Sequence, residues 1–285
     1  MAGVVTQPDR PAGRGQHLTP TPVKAAAHEL GLAVFEPERL RAFIEDARAL
    51  AADAFAVAAY GRILPAQLLD VPPLGAFNVH PSMLPLYRGA TPLQSVLRDG
   101  RSTTGITIFL MDAGMDTGKI VVQEARAIAP HETLAELHDR LAADAAPLLL
   151  RALDLVASGN AYPYSQDGLA SQREIAATLT RPLRSADFEM HWEWPAQRLE
   201  NLVRALAPAP AARATLAGVR VKVLSARAAA SAGRPEVRPG EAIGCDGDAV
   251  LVACGEGTLA IDRVTAPNKS AQSGSAFMRA ASTPR

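Results

Sequence analysis

The sequence predicts an α/β protein with a small all-β unit at its C-terminal end, on three observations. Apolar strand-like runs alternate with helix-periodic stretches over residues 1–160, the pattern of a parallel sheet with crossover helices. From about 160 the chain turns polar and turn-rich, in AYPYSQDGLASQREIAATLTRPLRS. Beyond one helical stripe, WEWPAQRLENLVRAL, only short β-type runs follow: VRVKVLSA, AVLVACG and TLAIDRVTA. With 285 residues, two cores are affordable, giving domains at 1–160 and 181–285 joined by a linker at 161–180.

The elements follow in order. AGVVT reads as the end of a strand, and QPDRPAGRGQHLTPTP as a loop too rich in Pro, Gly and basic residues to be regular. Thr21-Pro22 starts a helix, a capping hydroxyl before a proline at the first helical position, and Gly31 stops it. LAVFEP is a strand, RLRAFIEDARALAA a helix, and AFAVAAYG a strand. GAFNVH and TGITIFLMD are further strands, with a short helix near PLQSVLRDG between them. IVVQEARAI is one more strand, and ETLAELHDRLAADAAPLLLRALDLVASG a long helix.

Composition excludes several classes. About half the residues are apolar (48%) and a fifth charged (20%), as in ordinary globular proteins. No run is long and apolar enough for a membrane helix, and MAGVVTQPDR lacks a signal pattern, so a cytoplasmic protein is expected. Cys245 and Cys254 have neither CxxC spacing nor a histidine cluster, so no metal site is expected. The net charge is zero but uneven. Residues 1–180 carry 15 basic and 19 acidic side chains, residues 181–285 carry 14 and 10. A basic C-terminal part permits contact with a polyanion without requiring one.

The chemistry concentrates in FNVHPSMLPLYRGATP, residues 77–92. Side chains two apart on a strand share a face, so Asn78 and His80 point the same way. Pro81 holds His80 extended. An amide can donate to an oxygen that gains negative charge, and an imidazole can move a proton near neutrality. The following strand runs out into AGMDTGK, which places Asp112 and Asp116 at the same sheet edge if the two strands are parallel. An acyl-transfer site is plausible on these residues; DAGMDTG alone is equally a turn.

The strings NVHPSMLPLYRGATP and TGITIFLMDAGMDTG resemble the 10-formyltetrahydrofolate-dependent formyltransferases, down to the 36-residue step from His80 to Asp116. TQPDRPAGRG near the front and KSAQSGSAFMRA near the end resemble the members that formylate methionyl initiator tRNA. The resemblance implies a Rossmann-like, mostly parallel catalytic sheet and a small OB-like β-barrel. It implies 10-formyltetrahydrofolate as co-substrate, initiator Met-tRNA as partner, a monomer, and no metal. Asn78 would hold the formyl oxygen, His80 would stabilise charge and assist proton transfer, and Asp116 would orient His80. Ser82, Met83, Leu84 and Pro85 match the segment along the folate, and Tyr60, Gly61, Arg62, Ile63 and Leu64 a loop near the pterin pocket. Arg10, Arg14 and Lys24 would meet the tRNA acceptor stem. The family pattern also has a first strand, a glycine turn and a helix ahead of the segment matching AGVVTQPDR, and this sequence opens at the counterpart of the second strand. Two other readings share the trio: an amino-sugar nucleotide formyltransferase, which would not need the basic loop, and an inactive folate- or tRNA-binding fragment.

Overall fold

The computed structural model describes residues 1–12, 17–166, 178–229 and 237–282. The chain opens with β1 (Val4–Val5), β2 (Arg10–Ala12), β3 (His17–Thr19), α1 (Pro22–Glu29) and β4 (Val34–Phe35). The expected irregular loop is corrected here, because its two arms pair as an antiparallel hairpin with Pro11 opposite Leu18. Proline is compatible with a two-stranded edge, where one of its neighbours' ladders is open to solvent. The expected cap of α1 is present: Thr21 is extended and its hydroxyl accepts from the Lys24 N–H at 3.1 Å.

The single helix expected over 39–52 is instead a 3₁₀ turn at Leu40–Phe43 followed by α2 (Ile44–Ala49). In a 3₁₀ turn, side chains three apart align. Leu40 and Phe43 accordingly share one core with Ala47 and Leu68, and Val5, Phe35 and Tyr60 pack on it. Next come β5 (Phe55–Ala58), α3 (Ala66–Leu69), β6 (Ala76–His80), α4 (Pro92–Arg98), β7 (Thr103–Leu110), β8 (Ile120–Ala127) and α5 (Leu134–Ala157). Thr133 and Glu136 cap α5 reciprocally: the Glu136 carboxylate accepts from the Thr133 N–H (2.9 Å) and hydroxyl (2.8 Å), which pulls its pKa below the usual value. The last elements are α6 (Ala196–Leu206), β9 (Ala212–Leu216), β10 (Val219–Ala229), β11 (Ala242–Asp246), β12 (Ala249–Ala253), β13 (Thr258–Thr265), β14 (Gln272–Ser273) and α7 (Gly274–Ser282).

Contacts within the chain divide it into two compact units. The first holds Met1–His80, Ile106–Glu124 and the described part of Ala145–Ile175; the second holds Pro81–Gly105, Ala125–Asp144 and the described part of Ala176–Arg285.

In the first unit β1 pairs with β4, and β5 with β6, both parallel. The four-stranded sheet runs β5-β6-β7-β8. β6 and β7 are antiparallel, with Phe77 opposite Leu110 and His80 opposite Thr107. The parallel arrangement on which the placement of Asp112 and Asp116 was conditioned is therefore corrected. Residues 104–109 of β7 are all buried, and a run buried on both faces carries no mark of its direction.

In the second unit the strands run β11-β12-β13-β10-β9, with β14 on β13, and each recorded ladder is antiparallel. The path is open: among the described residues no ladder joins β9 to β11 to close a barrel. Ala217 (φ 46°) and Gly218 (φ 74°) form the two-residue turn from β9 to β10, both left-handed as such a hairpin demands. Leu199, Leu202, Val203 and Leu206 lie on one face of α6 and pack on Val221, Val223, Leu259 and Ile261. Trp192 and Trp194 pack against the same core.

Asp187 anchors the stretch before α6. It accepts from both terminal nitrogens of Arg181 (2.7 and 2.8 Å) and from the Arg184 N–H (2.6 Å). The Arg181 guanidinium first, and that N–H second, hold its carboxyl at about 2, below the ordinary 3.8. A depressed folded-state pKa gives stability that is complete above the unfolded value and is lost as the pH falls through the folded one. Asp187→Asn is expected to lower the urea midpoint at neutral pH, and the deficit should shrink as the pH falls from about 4 toward about 2. A deficit independent of pH would rule this out.

Candidate active site

Asn78 and His80 occupy the third and fifth positions of β6, on one face of the strand. Asn78 is flanked by ladder partners on both sides, Val57 of β5 and Phe109 of β7, so its backbone is held from two directions. It is half-buried, whereas His80 is only 4% exposed. The His80 ring meets Phe109 edge-on, with centroids 6.5 Å apart at 76°. Packing of this kind fixes an imidazole's orientation before any ligand arrives.

Asp116 reaches the histidine by a different route from the expected one. Because β7 runs back along β6, its end at Leu110 lies opposite Phe77 rather than His80. The segment after Leu110 then turns: Met111 N–H donates to Ala76 O (2.8 Å) and Leu110 N–H to Lys119 O (2.9 Å). Within this turn Asp116 adopts a left-handed backbone (φ 54°) and its Oδ2 lies 3.6 Å from His80 Nδ1. That separation exceeds a direct hydrogen bond, and the carboxylate faces a charge on the ring only when the imidazole is protonated. Asp112 does not join the site. It is exposed and accepts from the Gly114 N–H (2.9 Å) and the Thr117 hydroxyl (2.7 Å), organising the turn instead.

Two further features went unread in the sequence. Gln166 is buried and donates through Nε2 to Asp116 O (3.0 Å) and Gly118 O (2.8 Å). Thr107, opposite His80, is fully buried and accepts from Gln123 Nε2 at 2.7 Å. Neither glutamine lies in a motif: Gln166 is separated from its partners by β8 and α5, and Gln123 from Thr107 by the turn that joins two neighbouring strands, so no local pattern marks them.

The residues expected along the folate fall in different surroundings. In the first unit, Tyr60 packs on the Leu40–Phe43 core, and its buried hydroxyl has no hydrogen-bond partner among the described residues. Gly61 is left-handed (φ 75°), Arg62 donates to Glu38 O (3.0 Å), Ile63 is exposed and Leu64 packs on the same core. In the second unit, Ser82, Leu84 and Pro85 are buried, Met83 is half-buried, and the Ser82 hydroxyl donates to Leu86 O at 2.6 Å. Of the basic residues, Arg10 is exposed on the hairpin and Arg14 lies outside the described residues. Lys24 is held by Asp9 (2.9 Å) and Glu36 (2.8 Å), whose hydrogen bonds raise its pKa. A cavity of about 530 Å³ lies elsewhere in the first unit, lined by residues including Phe35, Glu38, Arg39 and Phe43. None of Asn78, His80 and Asp116 borders it, so the convergence of these side chains, not cavity size, marks the site.

An amide, an imidazole and a carboxylate gathered at a mixed α/β sheet define an enzyme of the acyl- or one-carbon-transfer class. Residues 1–153 match the formyl transferase family and residues 182–282 match the family described as formyl transferase, C-terminal domain. A methionyl-tRNA formyltransferase of Halorhodospira halophila is 47% identical over 264 residues, spanning 92% of this chain and 82% of that protein. One from Anaeromyxobacter dehalogenans is 45% identical, spanning 96% and 86%. Among solved structures, HypX from Aquifex aeolicus in complex with tetrahydrofolic acid shares the fold at 15% identity (TM-score 0.63; 97% of this chain, 46% of that one). So does WlaRD, a sugar 3N-formyl transferase, at 14% (TM-score 0.62; 94% and 88%). The chain belongs to the formyl transferase family, and its similarity to the methionyl-tRNA formyltransferases extends across both family regions.

Proposed function

We propose that this chain transfers the formyl group of 10-formyltetrahydrofolate to the α-amino group of methionyl initiator tRNA, in the cytoplasm and as a monomer, for translation initiation. Residues 1–160 form the catalytic part, 161–180 the linker and 181–285 the part that holds the tRNA. One observation carries the reading: His80 faces Asp116 at 3.6 Å on the strand that also presents Asn78, in a chain 47% identical to a methionyl-tRNA formyltransferase. Relatives that share 42–47% of their residues with this chain are methionyl-tRNA formyltransferases, which favours the tRNA acceptor.

The residues suit a formyl donor. A formyl carbonyl needs one neutral donor for its oxygen, and the half-buried Asn78 amide supplies it without a charge to desolvate. The neutral α-amino nitrogen attacks the formyl carbon, forming a new C–N bond while charge gathers on the oxygen facing Asn78. His80, held by Phe109 and the Asp116 carboxylate, takes up the ammonium proton and stabilises the charge. As the bond to N10 breaks, that nitrogen receives a proton and tetrahydrofolate leaves. No covalent enzyme intermediate is needed, because the amine is itself a nucleophile. Ser82, Met83, Leu84 and Pro85 are taken as folate contacts because they follow His80 in the chain, and Tyr60, Gly61, Arg62, Ile63 and Leu64 because they follow β5, the strand beside β6. Arg10, on the hairpin, meets tRNA phosphates, as Arg14 does by its match to the family's basic segment; Lys24, already bound by two carboxylates, steadies the Asp9–Glu36 neighbourhood more than it adds free charge.

The test is formyl transfer from 10-formyltetrahydrofolate by the purified chain to Met-tRNA and, in parallel, to an amino-sugar nucleotide. Transfer to the tRNA that weakens steeply with added salt is the expected outcome. Transfer to the sugar alone would overturn the acceptor assignment.

A further inference from the structure

Asp116 sits in a conformation that its own backbone does not favour. A non-glycine residue at φ 54° is sterically disfavoured and persists where the surroundings determine it. The surroundings here come from a distant stretch of chain. Tyr164 and Ile120 exchange both backbone hydrogen bonds (2.9 and 3.0 Å), which sets residues 164–166 alongside the end of the turn. Two residues on, the 1%-exposed Gln166 side chain turns inward, and its single NH₂ group reaches the carbonyls flanking Thr117, at Asp116 and at Gly118. Both partners are acceptors, so the amide orientation is dictated by them. A buried amide with both donors directed at one turn holds that turn against rotation of the Asp116 peptide, and this peptide decides where the carboxylate points.

We infer that Gln166 is a positioning residue for the reaction: it clamps the carbonyls of Asp116 and Gly118 so that the Asp116 carboxylate faces His80. The inference rests on the catalytic role of Asp116 given above, and it assigns a function to a residue in what reads from sequence as a polar connector.

The experiment is a double-mutant cycle on the whole chain with Gln166→Met, which keeps length and volume but removes both donors, and Asp116→Asn. Gln166→Met is expected to lower kcat by tenfold or more with KM for folate and for tRNA within about twofold, the mark of lost alignment rather than lost binding. Added to Asp116→Asn it should cost nothing further, because it acts through that carboxylate. The pH titration of the His80 ring, followed by NMR, should move in the same direction in both single variants, a readout that needs no turnover. Gln166→Asn, which keeps the amide but is too short to span both carbonyls, should lie between parent and Gln166→Met. Additive losses, an unmoved His80 titration, or failure of both Gln166 variants to fold would make the residue purely structural and overturn the inference. If Asp116→Asn itself stays within a few-fold of the parent, the catalytic assignment fails first, and the two failures are thereby told apart.

Discussion

Asn78→Ala is expected to reduce kcat for formyl transfer by about 10²–10³, with KM for both substrates changed by much less. The size follows from when the amide acts. Before reaction the formyl oxygen carries a carbonyl's partial charge; in the transition state it carries close to a full one, and only the second condition makes a fixed donor worth about 3–4 kcal/mol. Fixity is what the sheet supplies. Asn78 is paired to Val57 on one side and Phe109 on the other, so its Cα cannot relax away from the rim during reaction. Water admitted by the alanine could donate a hydrogen bond, but it would have to reorient as the charge forms. Asn78→Asp should be at least as damaging, since an ionised carboxylate would repel the developing oxyanion. Steady-state kinetics with each substrate varied in turn, together with an unchanged circular dichroism spectrum, would measure the effect. Activity within a few-fold of the parent would remove Asn78 from the mechanism.

The sequence carried the site further than it carried the path to it. Asn78 and His80 were legible because strand geometry alone puts residues two apart on one face, and the Thr21-Pro22 start and Gly31 stop of α1 because capping chemistry is local. Asp116 was legible as a member but not as a geometry. The apolar run of β7 is compatible with either direction, and its antiparallel course sends the chain past His80 before the DAGMDTG turn brings Asp116 back. Asp112 shows the cost of that ambiguity, since a parallel strand would have placed both carboxylates together and the actual turn uses one to build itself. The β2–β3 hairpin was hidden because Pro and Gly mark turns and edges alike. Gln166 was hidden for another reason: a side chain whose partners lie 48 and 50 positions away has no neighbour in sequence to betray it.

Gly118→Ala should be the most damaging small substitution in the chain, and a comparison with Gly114→Ala isolates why. A Cβ at position 118 would sit 1.7 Å from the Leu110 carbonyl oxygen and 2.8 Å from its carbon, both backbone atoms of β7. Leu110 cannot yield, because its N–H is bonded to Lys119 O and it pairs with Phe77 on β6. The turn must move instead, and it carries Asp116 two residues upstream. A destabilisation of about 3 kcal/mol or more is expected from the overlap. A kcat loss on the order of 10² or more is expected from a displacement of the carboxylate by about an ångström. At position 114 the new Cβ would meet the Thr117 hydroxyl at 1.9 Å, a nominally comparable clash. Thr117 is exposed, however, and its side chain can rotate at the price of one hydrogen bond to Asp112. Gly114→Ala should therefore cost about 1 kcal/mol and little activity. Urea midpoints and formylation rates for the two variants provide the measurement. Equal effects at both positions would mean that the Leu110 carbonyl does not brace the turn, and that the approach of Asp116 to His80 is set by something other than the close contact of Gly118 with β7.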